Sequence, residues 1–357
     1  MLEKILPLYN IKTSDCIIQP FGSGLINNTW KIVCRDKCFV LQRINEQVFK
    51  KPEYIDENIQ AIATYLCNHF RDYTFISPVK STDGQTLVHI KELGYFRLLP
   101  FVPSVSHDVV TDTSLAFEAA KQFGRFTKLL SGFPEEGLHV TIPNFHNLTL
   151  RYEQFQTALN NGNRERINES KYSIDFLQHQ KTITDEFENI TQNKAFRRRV
   201  IHHDTKISNV LFNEQGKGLC IIDLDTVMPG YFISDMGDMM RTYLSPVSEE
   251  EKDFSKIIIR EDYFEAIVKG YLEEMGSELS DIEINHIVYS GKFMIYMQAL
   301  RFLADYINND IYYGAAYEKH NFVRAQNQIV LLQKLLEKED VLNDIVQKYS
   351  TFQKQKI

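Results

Sequence analysis

The sequence predicts an α+β fold of two unequal lobes, a small β-rich N-terminal lobe and a larger, mainly helical C-terminal lobe. Three observations predict it. The first hundred residues hold short β-branched stretches around a single helical interval. Two prolines, Pro100 and Pro103, then punctuate the chain. Beyond them the apolar spacing is helical, apart from one hairpin-like segment. At 357 residues the chain is long for one average domain. The prolines divide it into residues 1–101 and 102–357.

The elements follow in order. Cys16 to Pro20, Asn28 to Val33 and Cys38 to Ile44 carry strand character, with Gly22-Ser23-Gly24 between the first two. From Pro52 to Phe70 the residues Ile55, Ile59, Ile62, Ala63 and Leu66 fall near one helical face, and Pro52 suits a helix start. Thr86 to Ile90 and Tyr95 to Leu99 complete the strands. Helices are expected at Ser114 to Leu130, Ser173 to Thr191, Glu261 to Met275, Asp281 to Ile307 and Lys319 to Leu336. A loop is expected at Asn160 to Ser170. Within Val200 to Asp225, the apolar runs Val210 to Phe212 and Leu219 to Ile222 read as an embedded hairpin.

Bulk properties narrow the function. Hydrophobic residues make up 43% and charged residues 24%, enough for a sizeable core and too balanced for a disordered chain. A net charge of −7 argues against nucleic acid or an anionic membrane as main partner. No stretch approaches the roughly 20 apolar residues that span a bilayer. The five cysteines, Cys16, Cys34, Cys38, Cys67 and Cys220, fit no zinc spacing and read as reduced thiols of a cytoplasmic protein.

The chemistry is concentrated in Ile201-His202-His203-Asp204-Thr205-Lys206-Ile207-Ser208-Asn209, followed by Ile222-Asp223-Leu224-Asp225. Phosphoryl transfer needs a carboxylate to orient the attacking hydroxyl and take its proton. It needs oxygen ligands for Mg²⁺ and a cation near the γ-phosphate. Asp204 can be the base, Lys206 the cation, and Asn209, Asp223 and Asp225 the metal-binding set. Gly22, Ser23 and Gly24 can bring backbone N–H groups close to phosphates, or can simply form a turn. The third strand offers no lysine toward the phosphates. It holds Gln42 and Arg43, which alternation places on opposite faces, so one of them faces the cleft. Glu57, on the following helix, is either the partner of such a cation or a solvated carboxylate.

The spacing His-x-Asp-x-Lys-x-x-Asn with a later Ile-Asp resembles the protein-kinase superfamily. Without Phe-Gly after Asp223, it is closer to the aminoglycoside phosphotransferase and choline kinase branch. That resemblance implies a protein-kinase-like bilobal fold, ATP and Mg²⁺ as cofactors, a nucleotide-binding N-lobe, and adenine bonded near Phe101 and Val102. Further blocks resemble bacterial N-acetylhexosamine 1-kinases. They are Phe21 to Thr29, Phe39 to Asn45 with its glutamine, Thr141 to His146, Asp223 to Gly230, Asp235 to Arg241 and Leu300 to Tyr306. This second resemblance implies phosphorylation of the anomeric hydroxyl of an N-acetylhexosamine. Asn27, His203, Arg301, Tyr312 and Tyr313 would then lie on the sugar, in a monomer or weak homodimer. His203 stands where such loops usually have glycine, either touching substrate or packing beneath the loop. Arg301 has a local alternative, an i, i+4 pair with Asp305. Asp235, Asp238 and Arg241 read as support. A kinase for choline, ethanolamine or an aminoglycoside, and a nucleotide-binding pseudokinase, are the competing readings.

Overall fold

The computed structural model describes residues 2–22, 26–35 and 37–354, with side chains to Ser350. A short α1 (Leu2–Ile5) precedes a five-stranded antiparallel sheet and its one long helix. These are β1 (Cys16–Pro20), β2 (Asn28–Cys34), β3 (Lys37–Arg43), α2 (Pro52–His69), β4 (Val88–Ile90) and β5 (Gly94–Pro100). The spatial order is β1-β2-β3-β5-β4. Thr86 and Leu87 fall outside the fourth strand, which is shorter than predicted.

Alternation gives this sheet two faces. Ile32, Leu41, Phe96 and Leu98 are fully buried against Ile5, Leu6 and Tyr9 of the N-terminal segment. Thr29, Lys31, Val40, Gln42, Arg97 and Leu99 therefore line the other face. Helix α2 presents Ile55, Ile59, Ile62 and Leu66 to the core of the larger lobe. Its buried Asn58 donates to the carbonyls of His139 and Val227 and accepts from the His139 N–H, which fixes the helix to the segment just after Asp225. Cys16 and Cys34 stand opposite each other on β1 and β2 with Cα atoms 4.2 Å apart and form a disulfide. The reading of all five cysteines as reduced thiols is therefore corrected.

The larger lobe begins with α3 (Thr113–Leu129), capped by Asp112, whose carboxylate accepts the Ser114 and Leu115 N–H groups. Next come α4 (Leu148–Asn161), α5 (Arg164–Glu169), α6 (Lys171–His179) and α7 (Thr182–Gln192). The polar stretch expected as a loop holds α5, because Asn163 caps it by accepting from Glu165 and Arg166. The single helix expected over Ser173 to Thr191 is broken at Gln180 and Lys181.

Strands β6 (Arg198–Ile201), β7 (Val210–Phe212), β8 (Gly218–Ile221) and β9 (Met228–Tyr231) make two small sheets, β6 with β9 and β7 with β8. The predicted hairpin is the second of these. Val105 exchanges both backbone hydrogen bonds with Phe212, tying the proline-marked joint to β7. The remaining helices are α8 (Phe232–Tyr243), α9 (Glu261–Met275), α10 (Asp281–Ile284), α11 (Ile287–Ile307), α12 (His320–Glu337) and α13 (Glu339–Lys354). Helices α8 and α11 approach so closely that a Cβ on Gly237 would lie 2.2 Å from the Ser290 carbonyl oxygen. Only glycine fits there. Among the described residues, no helix is long and apolar enough to cross a membrane.

Candidate active site

Strand β6 delivers the chain into the loop 202–206, and α8 holds that loop from below. Asp235 accepts the His202 N–H at 3.0 Å and the His203 N–H at 2.7 Å, one on each carboxylate oxygen. Asp238 accepts the Thr205 N–H at 2.8 Å, and Tyr243 donates to the Thr205 carbonyl at 2.6 Å. Burial pushes the Asp235 carboxyl up to about 6, while the charge of His202 and the two backbone donors work in the opposite direction. These residues brace the loop as expected of support. His202 joins it to the next segment: its Nε2 meets the Ile222 carbonyl at 2.9 Å, and its own carbonyl accepts from Thr226.

The bracing leaves Asp204 partly exposed. Its carboxylate pairs with Lys206 Nζ at 2.9 Å. Burial works against the charge of Lys206, but Asp204 and Asp223 outweigh it and hold the ammonium above its usual range. Asn209 donates to the Asp204 backbone carbonyl at 2.9 Å, and its own carbonyl receives the Ile222 N–H. Asp223 follows directly, in the left-handed region at φ 61°. Its carboxyl is raised by burial first, then by the nearby charges of Asp225 and Asp204. The charges of Lys206 and Arg97 offset only part of this rise, and a divalent cation at the carboxylate would reverse it. Among the described residues no three His, Cys, Asp or Glu side chains converge into a self-sufficient metal site. Asn209 and Asp223 are oxygen donors of the kind Mg²⁺ takes, in a shell of one or two protein carboxylates completed by phosphate oxygens and water. The predicted ligands divide accordingly. Asn209 bonds the Asp204 carbonyl, and the charges of Asp204 and Lys206 reach the Asp223 carboxyl. The oxygens of Asp225, expected as a ligand too, already meet Arg97 Nη2 at 2.6 Å and Asn27 Nδ2 at 2.7 Å.

On the nucleotide side, Gly22 has φ 80° with no atom near its vacant Cβ position, while Ser23 and Gly24 lie outside the described residues. Gln42 faces the cleft, and its carbonyl accepts from Arg97 Nε at 2.9 Å and Nη2 at 2.7 Å. Arg43 stands on the opposite face with Leu41, near Gly94 and Glu46, so alternation removes it from the cleft. Glu57 pairs with His139 at 2.6 Å and, among the described residues, with no strand cation. The Phe101 and Phe21 rings meet edge to face at 6.0 Å. Lys31 Nζ lies 4.0 Å from the Phe101 centroid, and the Val102 carbonyl accepts from the Ser104 hydroxyl.

On the acceptor side, Asn27 is engaged at both ends of its side chain. Its amide donates to Asp225 and its carbonyl accepts the Asn45 N–H, so both ends serve the joint between lobes. Arg301 makes no pair with Asp305. That carboxylate instead accepts the Tyr312 and Tyr313 N–H groups, at 2.8 and 3.0 Å, and the Asn321 amide. Among the described residues no carboxylate lies within 4.0 Å of the Arg301 guanidinium, which bonds Gln298 and sits 5.9 and 5.4 Å from the Tyr312 and Tyr313 rings. His203 adopts φ 66°, which explains why glycine suits this position. Its buried ring packs between His146, 5.4 Å away, and Gly230. A methyl on Gly230 would lie 2.5 Å from His203 Nε2 and 2.8 Å from Ile201 Cδ1. Gly230→Ala should therefore destabilise the protein by about 1–3 kcal/mol. Adding His203→Gly should restore most of the loss, as read by denaturant titration of the single and double variants.

Burial, reinforced by the charge of His202, lowers the His203 imidazole to about 3. An unfolded chain binds this proton near pH 6.5, so stability is complete above that pH and falls as the pH drops toward 3. The slope reaches at most about 1.4 kcal/mol per pH unit. His203→Asn should flatten that slope in urea titrations between pH 4 and 7. A slope unchanged by the substitution would assign the effect elsewhere.

Sequence reasoning missed Arg97 and His146. A charged residue inside the apolar run Tyr95 to Leu99 was the available signal for the first, since a buried guanidinium needs partners. His146 has no comparable local signature. Its half-buried position near His203, Arg301, Arg241 and Arg151, with its pKa held well below the usual value by desolvation, exists only in the folded chain.

A family model described as the phosphotransferase enzyme family matches residues 17–269. Among solved structures, an amicoumacin kinase in complex with AMP-PNP, Ca²⁺ and Ami has TM-score 0.63 at 16% identity. The alignment covers 93% of this chain and 92% of that one. An aminoglycoside phosphotransferase from Alicyclobacillus acidocaldarius has TM-score 0.65 at 12% identity, covering 97% and 96%. A choline kinase from Cryptosporidium parvum has TM-score 0.55 at 14% identity, covering 96% and 95%. These likenesses give the kinase-like fold.

Proposed function

Because the chain belongs to the phosphotransferase enzyme family, we propose that it is an ATP- and Mg²⁺-dependent kinase that phosphorylates the anomeric hydroxyl of an N-acetylhexosamine. N-acetylglucosamine or N-acetylgalactosamine would yield the sugar 1-phosphate and ADP. Asp204 orients the hydroxyl and takes its proton as the oxygen attacks the γ-phosphorus. Lys206, already beside Asp204, faces the transferred group. Asn209 and Asp223 hold Mg²⁺, which shields phosphate charge when bound. The cytoplasm and a monomer or weak homodimer belong to the same reading.

The observation that carries the acceptor class is Arg301, a guanidinium without a carboxylate partner, set against two tyrosines. A neutral polyol supplies the acceptors that guanidinium lacks, and tyrosine suits a sugar's apolar face. A cationic acceptor such as choline or an aminoglycoside would need free carboxylates or an aromatic cage. The acidic run does not offer them. Glu249 is held by Arg241 and Arg324, Glu250 by His320 and Arg324, and Glu251 by Lys256.

Phosphorus NMR of the protein with ATP, Mg²⁺ and a mixed panel of sugars, choline and kanamycin tests the proposal. A hexosamine 1-phosphate resonance is expected. A 6-phosphate, or product from choline or kanamycin alone, would refute the anomeric sugar assignment.

A further inference from the structure

The cation missing from β3 has a counterpart one strand away. Arg97 sits opposite Gln42 in the β3–β5 register and is 3% exposed. Its guanidinium holds the Gln42 carbonyl through two nitrogens and meets Asp225, itself 2% exposed, at 2.6 Å. The contact is an ion pair without hydrogen-bond alignment, since among the described residues no donor bonds Asp225 Oδ1, and removing either partner would strand a buried charge. Asp225 belongs to the short 3-10 turn Leu224–Thr226, immediately after Asp223 at its left-handed φ. Asn27 grips the second oxygen of Asp225 from the same lobe as Arg97. The sheet thus clamps the turn that presents Asp223 from two directions. The positive charge of Arg97 also reaches Asp223 and, on α2, Asp56.

We propose that Arg97 is a positioning residue for phosphoryl transfer: it closes the β-sheet onto the Asp223–Asp225 turn and supplies from β5 the buried positive charge that the third strand lacks. The inference rests on the kinase reading and deepens it. In this arrangement Gln42 is the orienting partner of the cation, and its neutral carbonyl is required there because a lysine at position 42 would face Arg97 with like charge.

Arg97→Met and Arg97→Lys test it. The measurements are steady-state kinetics with ATP and acceptor varied separately, the Mg²⁺ concentration giving half-maximal rate, and titration of Trp30 fluorescence with Mg²⁺·ADP. Trp30 is the chain's single tryptophan and lies on β2. Arg97→Met should raise the KM for ATP and the Mg²⁺ requirement about tenfold or more, the loss expected of a charge-assisted contact. The acceptor KM should stay within about twofold. Arg97→Lys should recover only part, because one ammonium cannot hold Gln42 and Asp225 with a planar fork. A general loss of structure would instead move all parameters together. Should Arg97→Met fail to fold, Arg97→Gln combined with Asp225→Asn keeps a neutral pair of similar shape. That variant should fold and still bind Mg²⁺·ADP about tenfold more weakly. Nucleotide affinity and Mg²⁺ requirement unchanged in the folded variants would overturn the role of Arg97 alone. Absence of nucleotide binding by the unsubstituted protein would overturn the kinase reading and this inference with it.

Discussion

Asp204→Asn is expected to lower kcat by about 10²–10⁴-fold, the range that a positioned general base contributes. The substitution keeps the shape of the side chain and removes its ability to take a proton. The loop should hold its form, because Asp235 and Asp238 grip backbone N–H groups at 202, 203 and 205 and make no use of the Asp204 carboxylate. The Asp204–Lys206 pair is partly solvated, so thermal stability should change little. Mg²⁺·ADP affinity should stay within a few-fold if Asp204 faces the acceptor hydroxyl as proposed. A variant that retains turnover within tenfold of the unsubstituted protein would remove Asp204 from the chemistry. A variant that instead loses nucleotide affinity would assign Asp204 to the metal.

Glu283→Ala should destabilise the protein by about 3–5 kcal/mol, the cost of stranding a buried partner charge. Arg199 bonds Glu283 bidentately at 2.5 and 3.0 Å, with side chains 6% and 0% exposed. Glu283 also closes the capping box of α10 with Ser280 and accepts the Arg197 N–H. The alanine leaves the guanidinium with only the carbonyls of Arg197 and Glu278. Arg199 lies in β6, three residues before His202, so the damage should extend to the catalytic loop. Replacing both partners, as Arg199→Met with Glu283→Leu, should recover most of the stability, because an apolar pair needs no desolvation. Urea titrations of the unsubstituted protein and the two variants check this. A single-variant loss below about 1 kcal/mol would place the pair among weak ones.

Which parts of the fold and the candidate site were readable followed the range of the interactions involved. The loop around Asp204 and the carboxylate at Asp223 were legible because their residue types recur at short, fixed spacing. Strands β1, β2, β3 and β5 were legible because their apolar patterns alternate within a few residues. Helix α5 was not, because its signal is a single asparagine cap within a polar stretch. Arg97 escaped because its partners lie 55 residues away at Gln42 and across the cleft at Asp225. The Asn27–Asp225 bond was not legible either, because nothing local reveals a partner 198 residues downstream. Arg301 shows the converse. A helical i, i+4 neighbour was available at Asp305, yet the backbone of residues 312 and 313 took that carboxylate, which no local rule anticipates.

The contact between Gly237 and Ser290 reaches well beyond packing. Gly237 lies between Asp235 and Asp238, and Arg301 stands about three turns further along α11 than Ser290. The glycine therefore sets how closely α8, whose Asp235 and Asp238 hold the loop of Asp204, approaches α11, which carries Arg301. If the proposed acceptor site is right, a change at this hidden crossing should alter the size of acceptor admitted while leaving Asp204 and Arg301 themselves unchanged.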